Sequence, residues 1–312
     1  MDDGLLISPV YPRALKTKFP VDCQSGPLER SFKLTRVGVT GVRKPIKVRR
    51  GNRDNFLVAE IDVFVDLPST QRGSHMSRNM EVINEMIDSS VRLKVRSLEQ
   101  LAANICRTLL KRHDYAGYAE VRMTADYFVE KRPDGGKKSL ECYKLFAQAS
   151  ATRGDGLMKQ VGVEVQGMTV CPCAMETAFR KLEQKVPELK AIEGKVPTIS
   201  HNQRNRTALM IEVPERVDIE ADDLIDIVES SLSSPTFGVL KRADEANVVI
   251  EAHKNPKFVE DVVRDILGKL LRKYKRLDDS VHVTVRSESE ESIHKHNAFA
   301  ERDTTLGELR GK

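Results

Sequence analysis

Two cysteines separated by one residue, Cys171 and Cys173, are the side chains in this 312-residue chain best suited to chemistry. They follow an alternating strand pattern and precede a polar helical segment, so a thiolate at Cys171 would gain from the dipole at the helix N-terminus. The gap is too short for the usual structural zinc knuckle, and no second pair exists. The motif indicates either a reactive or metal-binding thiol, or two half-buried thiols at a turn.

A polar string beginning at His201 could supply an imidazole to the same site. Cysteine, histidine and a carboxylate are reasonable ligands for zinc or iron(II), with a position left open for water. Asp244 and Glu245 could supply the carboxylate, although such a charge cluster is more often a solvated turn. Glu260, in the first turn of an amphipathic helix, either compensates the helix dipole or accepts N–H bonds from a purine edge.

Two other groups of residues have both a structural and a functional interpretation. His294 and His296 would point the same way in an extended segment, but a short His-x-His is more often a surface-loop feature. Six basic residues between Arg43 and Arg53 indicate a solvated edge, attraction of a triphosphate, or RNA contact. Only one aromatic residue, Phe56, lies near them. RNA contact is therefore the weaker interpretation.

Composition narrows the class of protein. Hydrophobic residues make up 40% and charged residues 31%, which is typical of a soluble globular chain. No apolar stretch approaches the roughly 18 residues needed to cross a bilayer, and no leader pattern opens the chain. Five scattered cysteines indicate a reducing compartment. We therefore expect a cytoplasmic protein without membrane contact, whose net charge of +5 suits a phosphorylated small molecule as well as a polynucleotide.

The elements that would position these residues alternate between strands and helices. Strands are predicted at 57–65, 118–130, 140–152, 161–165, 208–213, 247–252 and 281–285, and helices at 174–186, 221–232 and 255–274. A strong turn signal, Pro133 to Gly136, joins the second and third strands. The pattern predicts two α+β units with a boundary near 153–158. We therefore expect an N-terminal arm at 1–30, a first unit at 31–155, and a second unit at 156–312 carrying most of the metal site.

Seven motifs, in one consistent order, resemble the prokaryotic GTP cyclohydrolase IB family. They are RVGVTG at 36–41, RGSHMSR at 72–78, CPC at 171–173, HNQR at 201–204, KRADE at 241–245, NPKFVED at 255–261 and SIHKH at 292–296. The chain looks most like the archaeal, iron(II)-dependent branch of methanopterin biosynthesis. In the bacterial branch CPC runs almost directly into HNQR, whereas here Ala174 to Ser200 intervene.

The resemblance implies a tunnelling fold, with two tandem antiparallel sheet-plus-helix units per chain. Homodimers or higher homo-oligomers would form a barrel with sites at subunit interfaces. It also implies an Fe(2+) site, with Zn(2+) or Mn(2+) as possible substitutes. The implied metal positions are Cys171, His201 and Glu245, with Asp244 as the alternative carboxylate. Glu260 would anchor guanine, and His294 or His296 would assist proton transfer. The implied pocket residues are Cys173, His75, Arg78 and Arg204.

The activity implied by the resemblance is hydrolysis of GTP at C8 of the guanine ring. The products would be formate, diphosphate and 7,8-dihydroneopterin 2′,3′-cyclic phosphate, the first step of tetrahydromethanopterin-type pterin synthesis. A bacterial-type reaction giving 7,8-dihydroneopterin triphosphate is the close alternative. A non-enzymatic RNA-binding module that uses the run from Arg43 to Arg53 is the distant one, and a structural interaction protein is a third. We expect GTP as the partner, and no nucleic acid.

Overall fold

The computed structural model describes residues 23–26, 28–50, 53–93, 96–133 and 136–311. Most of the predicted arm at 1–30, and two residues of the predicted turn, Asp134 and Gly135, lie outside these ranges. Among the described residues no helix combines the length and apolar character needed to cross a membrane.

Nine strands form one antiparallel sheet within the described part of the chain. They are β1 (Leu34–Arg50), β2 (Arg53–Leu67), β3 (Tyr118–Lys131), β4 (Ser139–Thr152), β5 (Gly156–Val170), β6 (Asn202–Pro214), β7 (Ser234–Pro235), β8 (His282–Glu290) and β9 (Ala298–Thr305). The order across the sheet is β1-β2-β3-β4-β5-β6-β8-β9, and the short β7 pairs with β5 beside this path. Neighbouring strands are therefore mostly consecutive in the sequence, as hairpin connections dictate.

The helices cover one face of the sheet. They are α1 (Met76–Leu93), α2 (Leu98–Arg112), α3 (Pro172–Glu183), α4 (Ala221–Glu229), α5 (Arg242–Lys254), α6 (Val259–Lys273) and α7 (Leu306–Leu309), with short 3-10 turns at Cys23–Ser25 and Pro187–Ile192. Alternate strand residues such as Val121 and Val163 are fully buried under them. One hydrophobic cluster runs from Ile46 on β1 to Leu306. The period-two pattern in the sequence is the direct cause, because one strand face meets helices and the other meets solvent.

The prediction of two tandem T-fold units, each with its own sheet, is wrong, although the α+β class is right. At the proposed boundary, β4 and β5 pair without a break from Lys144 opposite Glu164 to Thr152 opposite Gly156. Gly154 and Gly156 both have positive φ, which lets the chain reverse in a tight turn. The segment at 153–158 is therefore a hairpin turn inside one sheet.

The predicted strand at 247–252 is also wrong, because these residues lie within α5. Val248, Val249 and Ile250 are β-branched and favour a strand by local propensity. The structure continues the helix through them and leaves Val249 and Ile250 on the surface. The tertiary context overrides the local preference here, since the sheet has its full set of core strands without this segment.

Candidate functional site

Cys171 is the first residue after β5 and caps the N-terminus of α3. Its Sγ accepts a hydrogen bond from the backbone N–H of Ala174 at 3.4 Å. Pro172 follows, and because proline lacks an N–H it ends the strand ladder and starts the helix without loss. The half-buried sulfur therefore lies at the positive end of the helix dipole. Cys173, in the first turn of α3, is exposed.

His201 lies directly across from Cys171, where β5 and β6 meet. Val170 pairs with Asn202, and the ladder extends one step further because the Cys171 N–H donates to the His201 carbonyl at 3.1 Å. Ser200 Oγ donates to the Cys171 carbonyl at 2.6 Å. Opposed cross-strand residues project to the same face with Cβ atoms about 5 Å apart. The segment from Ala174 to Ser200 thus brings the chain back beside Cys171.

The imidazole of His201 is held among buried polar groups. Its Nδ1 lies 2.9 Å from Gln203 Oε1 and 3.6 Å from Glu291 Oε2. The His201 and Glu291 side chains are only 11% and 10% exposed. Neither Gln203 nor Glu291 was assigned a role by sequence reasoning. Their positions in the sequence could have identified them, because Gln203 belongs to the HNQR motif and Glu291 directly precedes SIHKH.

The His-x-His loop between β8 and β9 lies beside His201. The ring of His294 is 6.2 Å from that of His201, edge to face, and 5.1 Å from that of His296 in a stacked arrangement. Both histidines of the loop are exposed. Arg204, exposed on β6, pairs in register with Glu290 at the same end of the sheet. Three imidazoles are thus gathered at the end of the sheet that carries Cys171, and Arg204 lies at the same end on the other face of β6.

The start of α6 brings Glu260 toward the same end of the sheet. The Lys257 N–H donates to the Val170 carbonyl at 2.9 Å, which ties the α5–α6 connection to the residue before Cys171. Asn255 Nδ2 donates to the Leu232 carbonyl at 3.0 Å and holds the same connection. Glu260 is exposed in the first turn of α6. Its carboxylate can therefore meet a ligand from solvent.

The acidic pair of the KRADE motif lies at the other end of α5. Asp244 Oδ2 accepts the Lys241 N–H at 3.0 Å and so caps the helix, whereas Glu245 is exposed. No hydrogen bond or ion pair among the described residues joins Glu245 to Cys171 or His201. The described residues contain no group of three or more His, Cys, Asp or Glu side chains placed to hold a metal ion. The thiolate of Cys171 and the imidazole of His201 are suitable donors for a divalent ion, and they lie beside each other. They supply only two ligands.

His75 and Arg78 lie elsewhere, in and just after the loop between β2 and α1. The His75 ring is 6.2 Å from that of Tyr115, and Arg78 Nη1 donates to the Arg112 carbonyl at 3.0 Å. This loop adjoins the start of β3, whose Tyr118 pairs with Thr152. We call the end of the strands beside this loop the arginine end of the sheet. The opposite end of the strands, which carries Cys171 and His201, is the cysteine end.

A buried histidine supports the arginine end. His113 Nδ1 lies 2.8 Å from the Tyr115 hydroxyl, and its Nε2 lies 2.8 Å from Asn79 Oδ1. Burial, followed by the positive charges of Arg78 and His75, lowers the pKa of His113 from 6.5 to about 4. The ring is therefore neutral near pH 7. In the sequence His113 directly follows the apolar stripe of α2, and this position indicates burial but not the ring's partners.

The two ends are far apart within one chain. Thr152 pairs with Gly156 at the arginine end, and β5 then runs 15 residues to Val170 at the cysteine end. At about 3.3 Å per residue, this strand spans about 45 Å. One chain therefore cannot bring the His75 loop to Cys171.

The basic run lies on the two long strands that begin the sheet. Lys47 Nζ is 5.3 Å from the centre of the Phe56 ring, a cation–π distance. The side chains of Arg49, Arg50 and Arg53 lie outside the described residues. The RNA alternative stays a prediction.

Solved structures with a similar fold are distant in sequence. A chain described as a highly active BTUO mutant matches with a TM-score of 0.50 and 11% identity, over 88% of this chain and 99% of that one. A uricase from Bacillus fastidious matches with a TM-score of 0.49 and 11% identity, over 91% and 96% of the two chains. At this identity the first likeness concerns the fold alone.

Relatives in sequence are much closer. A protein named GTP cyclohydrolase MptA from Methanothermobacter thermautotrophicus is 48% identical over 288 residues, covering 89% of this chain and 91% of that protein. Proteins of the same name from Methanococcoides burtonii and Methanocaldococcus jannaschii are 43% and 42% identical, covering 94% and 93% of this chain and 96% of each relative. The model of the GCHY-1 family, type I GTP cyclohydrolase folE2, matches residues 21–300. The chain therefore belongs to the type I GTP cyclohydrolase family of enzymes.

Proposed function

We propose that this protein opens the imidazole ring of GTP at C8 in an archaeal pterin pathway of the methanopterin type. GTP and one net water would give formate, diphosphate and 7,8-dihydroneopterin 2′,3′-cyclic phosphate. The observation that carries the proposal is the pairing of Cys171 with His201 at one end of the sheet, in a chain of this family. The relatives named MptA, all from archaea, support the archaeal form of the reaction.

The proposed cofactor is Fe(2+), with Zn(2+) or Mn(2+) as substitutes. Cys171 and His201 would hold it together with Glu245, whose carboxylate, unlike that of Asp244, is not used in capping α5. A bound divalent ion supplies Lewis-acid activation of water at neutral pH. Because Glu245 lies away from the other two residues, completion of the set requires a movement of α5 or a contribution from another protomer.

The proton-transfer groups in this proposal are His294 and His296. Their exposed, stacked rings stand beside His201, where a ring nitrogen of the purine could receive a proton during opening. The geometry supports His294 as the nearer group, at 6.2 Å between ring centres. Glu260 would accept the N1–H and 2-amino hydrogens of guanine, which adenine cannot supply in that pattern. Arg204 would bind phosphate oxygens, and Cys173 would line the same pocket.

The site is proposed to be shared between protomers. His75 and Arg78 can join Cys171 only if the arginine end of one chain meets the cysteine end of another. Among the described residues, β1 and β9 each have a neighbour on one side only, so both sheet edges can pair with another chain. A homodimer or a larger closed homo-oligomer would satisfy these edges.

The direct test is incubation of the purified protein with GTP and Fe(2+) without oxygen. Formate, diphosphate and a pterin with the mass of the cyclic phosphate are the expected products. A pterin triphosphate without diphosphate would replace the proposal by the bacterial-type reaction. Absence of both formate and pterin would reject the activity. Removal of the metal by a chelator should stop turnover, and re-addition of Fe(2+) should restore it.

A further inference from the structure

We propose that Gln203 and Glu291 are positioning residues for His201. They hold its imidazole with the proton on Nδ1, so that Nε2 carries the lone pair available to a ligand beside Cys171. The inference rests on the proposed function in taking His201 as the residue whose ring nitrogen is used. Neither residue needs to touch the substrate for this role.

The first observation is the direction of a hydrogen-bond chain. Gln203 Nε2 donates to Thr169 Oγ1 at 3.1 Å, so the amide oxygen faces the histidine. That oxygen lies 2.9 Å from His201 Nδ1. An amide oxygen can only accept, so with the Gln203 amide in this orientation Nδ1 is the donor. In a neutral imidazole the proton on Nδ1 leaves Nε2 unprotonated.

The second observation is an unsatisfied carboxylate oxygen. Glu291 Oε2 is buried and has no hydrogen-bond partner among the described residues. It lies 3.6 Å from His201 Nδ1. A buried carboxylate oxygen without a partner is costly unless the site uses its charge. Negative charge at this place favours a proton on Nδ1 and raises the donor strength of Nε2, as carboxylates behind metal-binding histidines do.

The third observation is the buried hydrogen-bond network that holds the side chain of Gln203. Thr169 Oγ1 is 3.0 Å from Ser289 Oγ, and Asn205 Nδ2 donates to Ser289 Oγ at 3.0 Å and to Ser287 Oγ at 2.9 Å. All four residues are essentially fully buried, and they span β5, β6 and β8. A connected buried network of this kind locks side-chain rotamers. The orientation of His201 is thus set through Gln203 by buried side chains on three strands of the sheet.

The experiment compares four variants of the full chain. Gln203→Leu removes the acceptor for Nδ1–H, Gln203→Glu keeps an acceptor there, and Glu291→Gln removes the charge at nearly constant shape. Glu290→Gln is the matched control, because its carboxylate pairs with Arg206 on the exposed face. The readout is the affinity of the metal-stripped protein for Zn(2+), measured against a chromophoric chelator. A second readout is the ¹⁵N shifts of the His201 ring in the metal-free protein.

Gln203→Leu is expected to lower Zn(2+) affinity about 10- to 100-fold, the usual cost of losing a partner behind a metal-binding histidine. Gln203→Glu should recover most of that loss, Glu291→Gln should fall between them, and the control should bind like the wild type. The ring shifts should report Nδ1–H in the wild type and a mixture of tautomers in Gln203→Leu.

Unchanged affinity in both Gln203→Leu and Glu291→Gln would overturn the inference, as would an Nε2–H tautomer in the wild type. If Gln203→Leu fails to fold, the Zn(2+) affinity of Glu291→Gln decides, and an unchanged affinity in that variant overturns the inference. If the wild type binds no Zn(2+), the ring shifts decide. Failure of the proposed function is seen separately, as a wild-type protein that makes no formate from GTP.

Discussion

The cysteine end and the arginine end carry different parts of the predicted site and are built differently. At the cysteine end, Cys171 and His201 continue a strand ladder, and buried polar side chains on three strands stand behind them. At the arginine end, His75 and Arg78 belong to a loop and a helix start, supported by the buried ring of His113. Each end is ordered by its own buried polar network. Neither contains all the groups that the proposed reaction needs.

The largest expected effect comes from breaking the cysteine end. Cys171→Ala should lower kcat about 10³-fold or more, because it removes a proposed metal ligand. Folding should be nearly unaffected, since the half-exposed sulfur accepts one capping hydrogen bond, worth about 1 kcal/mol. Formate release and thermal unfolding measure the two effects. Cys142→Ala, at an exposed cysteine on β4, is the control and should be fully active. Retained activity in Cys171→Ala would remove its metal role.

Mixing two inactive variants would show whether the ends work together across protomers. Arg78→Ala should be nearly inactive, as should Cys171→Ala. After subunit exchange, about a quarter of the sites would combine an intact cysteine end with an intact arginine end, as expected for random pairing in a closed oligomer. GTP turnover should therefore rise from near zero to about a quarter of the wild-type value. No recovery, with exchange verified by mass spectrometry, would exclude a site that Arg78 of one protomer shares with Cys171 of another.

A change of pH should weaken the arginine end first. The folded state favours neutral His113, with a pKa of about 4 against 6.5 for an ordinary histidine. The group therefore contributes stability that is present above pH 6.5 and is lost as pH falls toward 4. The loss is on the order of 3 kcal/mol, from 1.36 kcal/mol per pKa unit. Urea unfolding at several pH values in this range measures how the free energy of unfolding changes with pH.

Replacement of the buried ring provides the control for that pH dependence. His113→Gln should make the free energy of unfolding depend less on pH. His253→Gln, on the surface of α5, should leave that pH dependence unchanged. Amide protection factors in residues 74–79, which are corrected for the slower intrinsic exchange in acid, should fall before those in β5. An earlier loss of protection at the cysteine end would contradict this order.

The smallest expected effect is the loss of one hydrogen bond at the cysteine end. Ser200→Ala removes the bond from Ser200 Oγ to the Cys171 carbonyl and should lower the free energy of unfolding by about 1 kcal/mol. A loosened approach of His201 to Cys171 should also reduce kcat a few-fold. Ser280→Ala, which removes an exposed hydrogen bond to Asp278, should change stability by less than about 0.5 kcal/mol. Equal effects in both variants would argue against a special role for Ser200.

Local patterns predicted much of the fold. Alternation at 57–65 and 161–165 predicts buried strands. Ser97 followed by Gln100 is a capping-box pattern, and in the structure the Ser97 hydroxyl accepts the Gln100 N–H. The predicted strand at 247–252 is wrong because the β-branched residues that favour a strand there lie within the helix α5. The predicted fold of two T-fold units is wrong, and the region at 153–158 is a glycine turn, which looks the same between two units as inside one sheet. Pairing across β4 and β5 distinguishes these cases, and pairing is a long-range property.

The amino-acid sequence by itself determined the chemistry available to this protein: a thiol at a helix start, imidazoles in polar strings, acidic residues in first helical turns, and an ordered set of motifs typical of one enzyme family. Only the tertiary structure decided which of these groups are neighbours. It placed His201 beside Cys171, and Gln203 and Glu291 beside the imidazole of His201. His75 and Arg78 lie at the arginine end, at the other end of the strands. The physical reason is that residue types and spacing act within a few positions, whereas strand register joins residues distant along the chain.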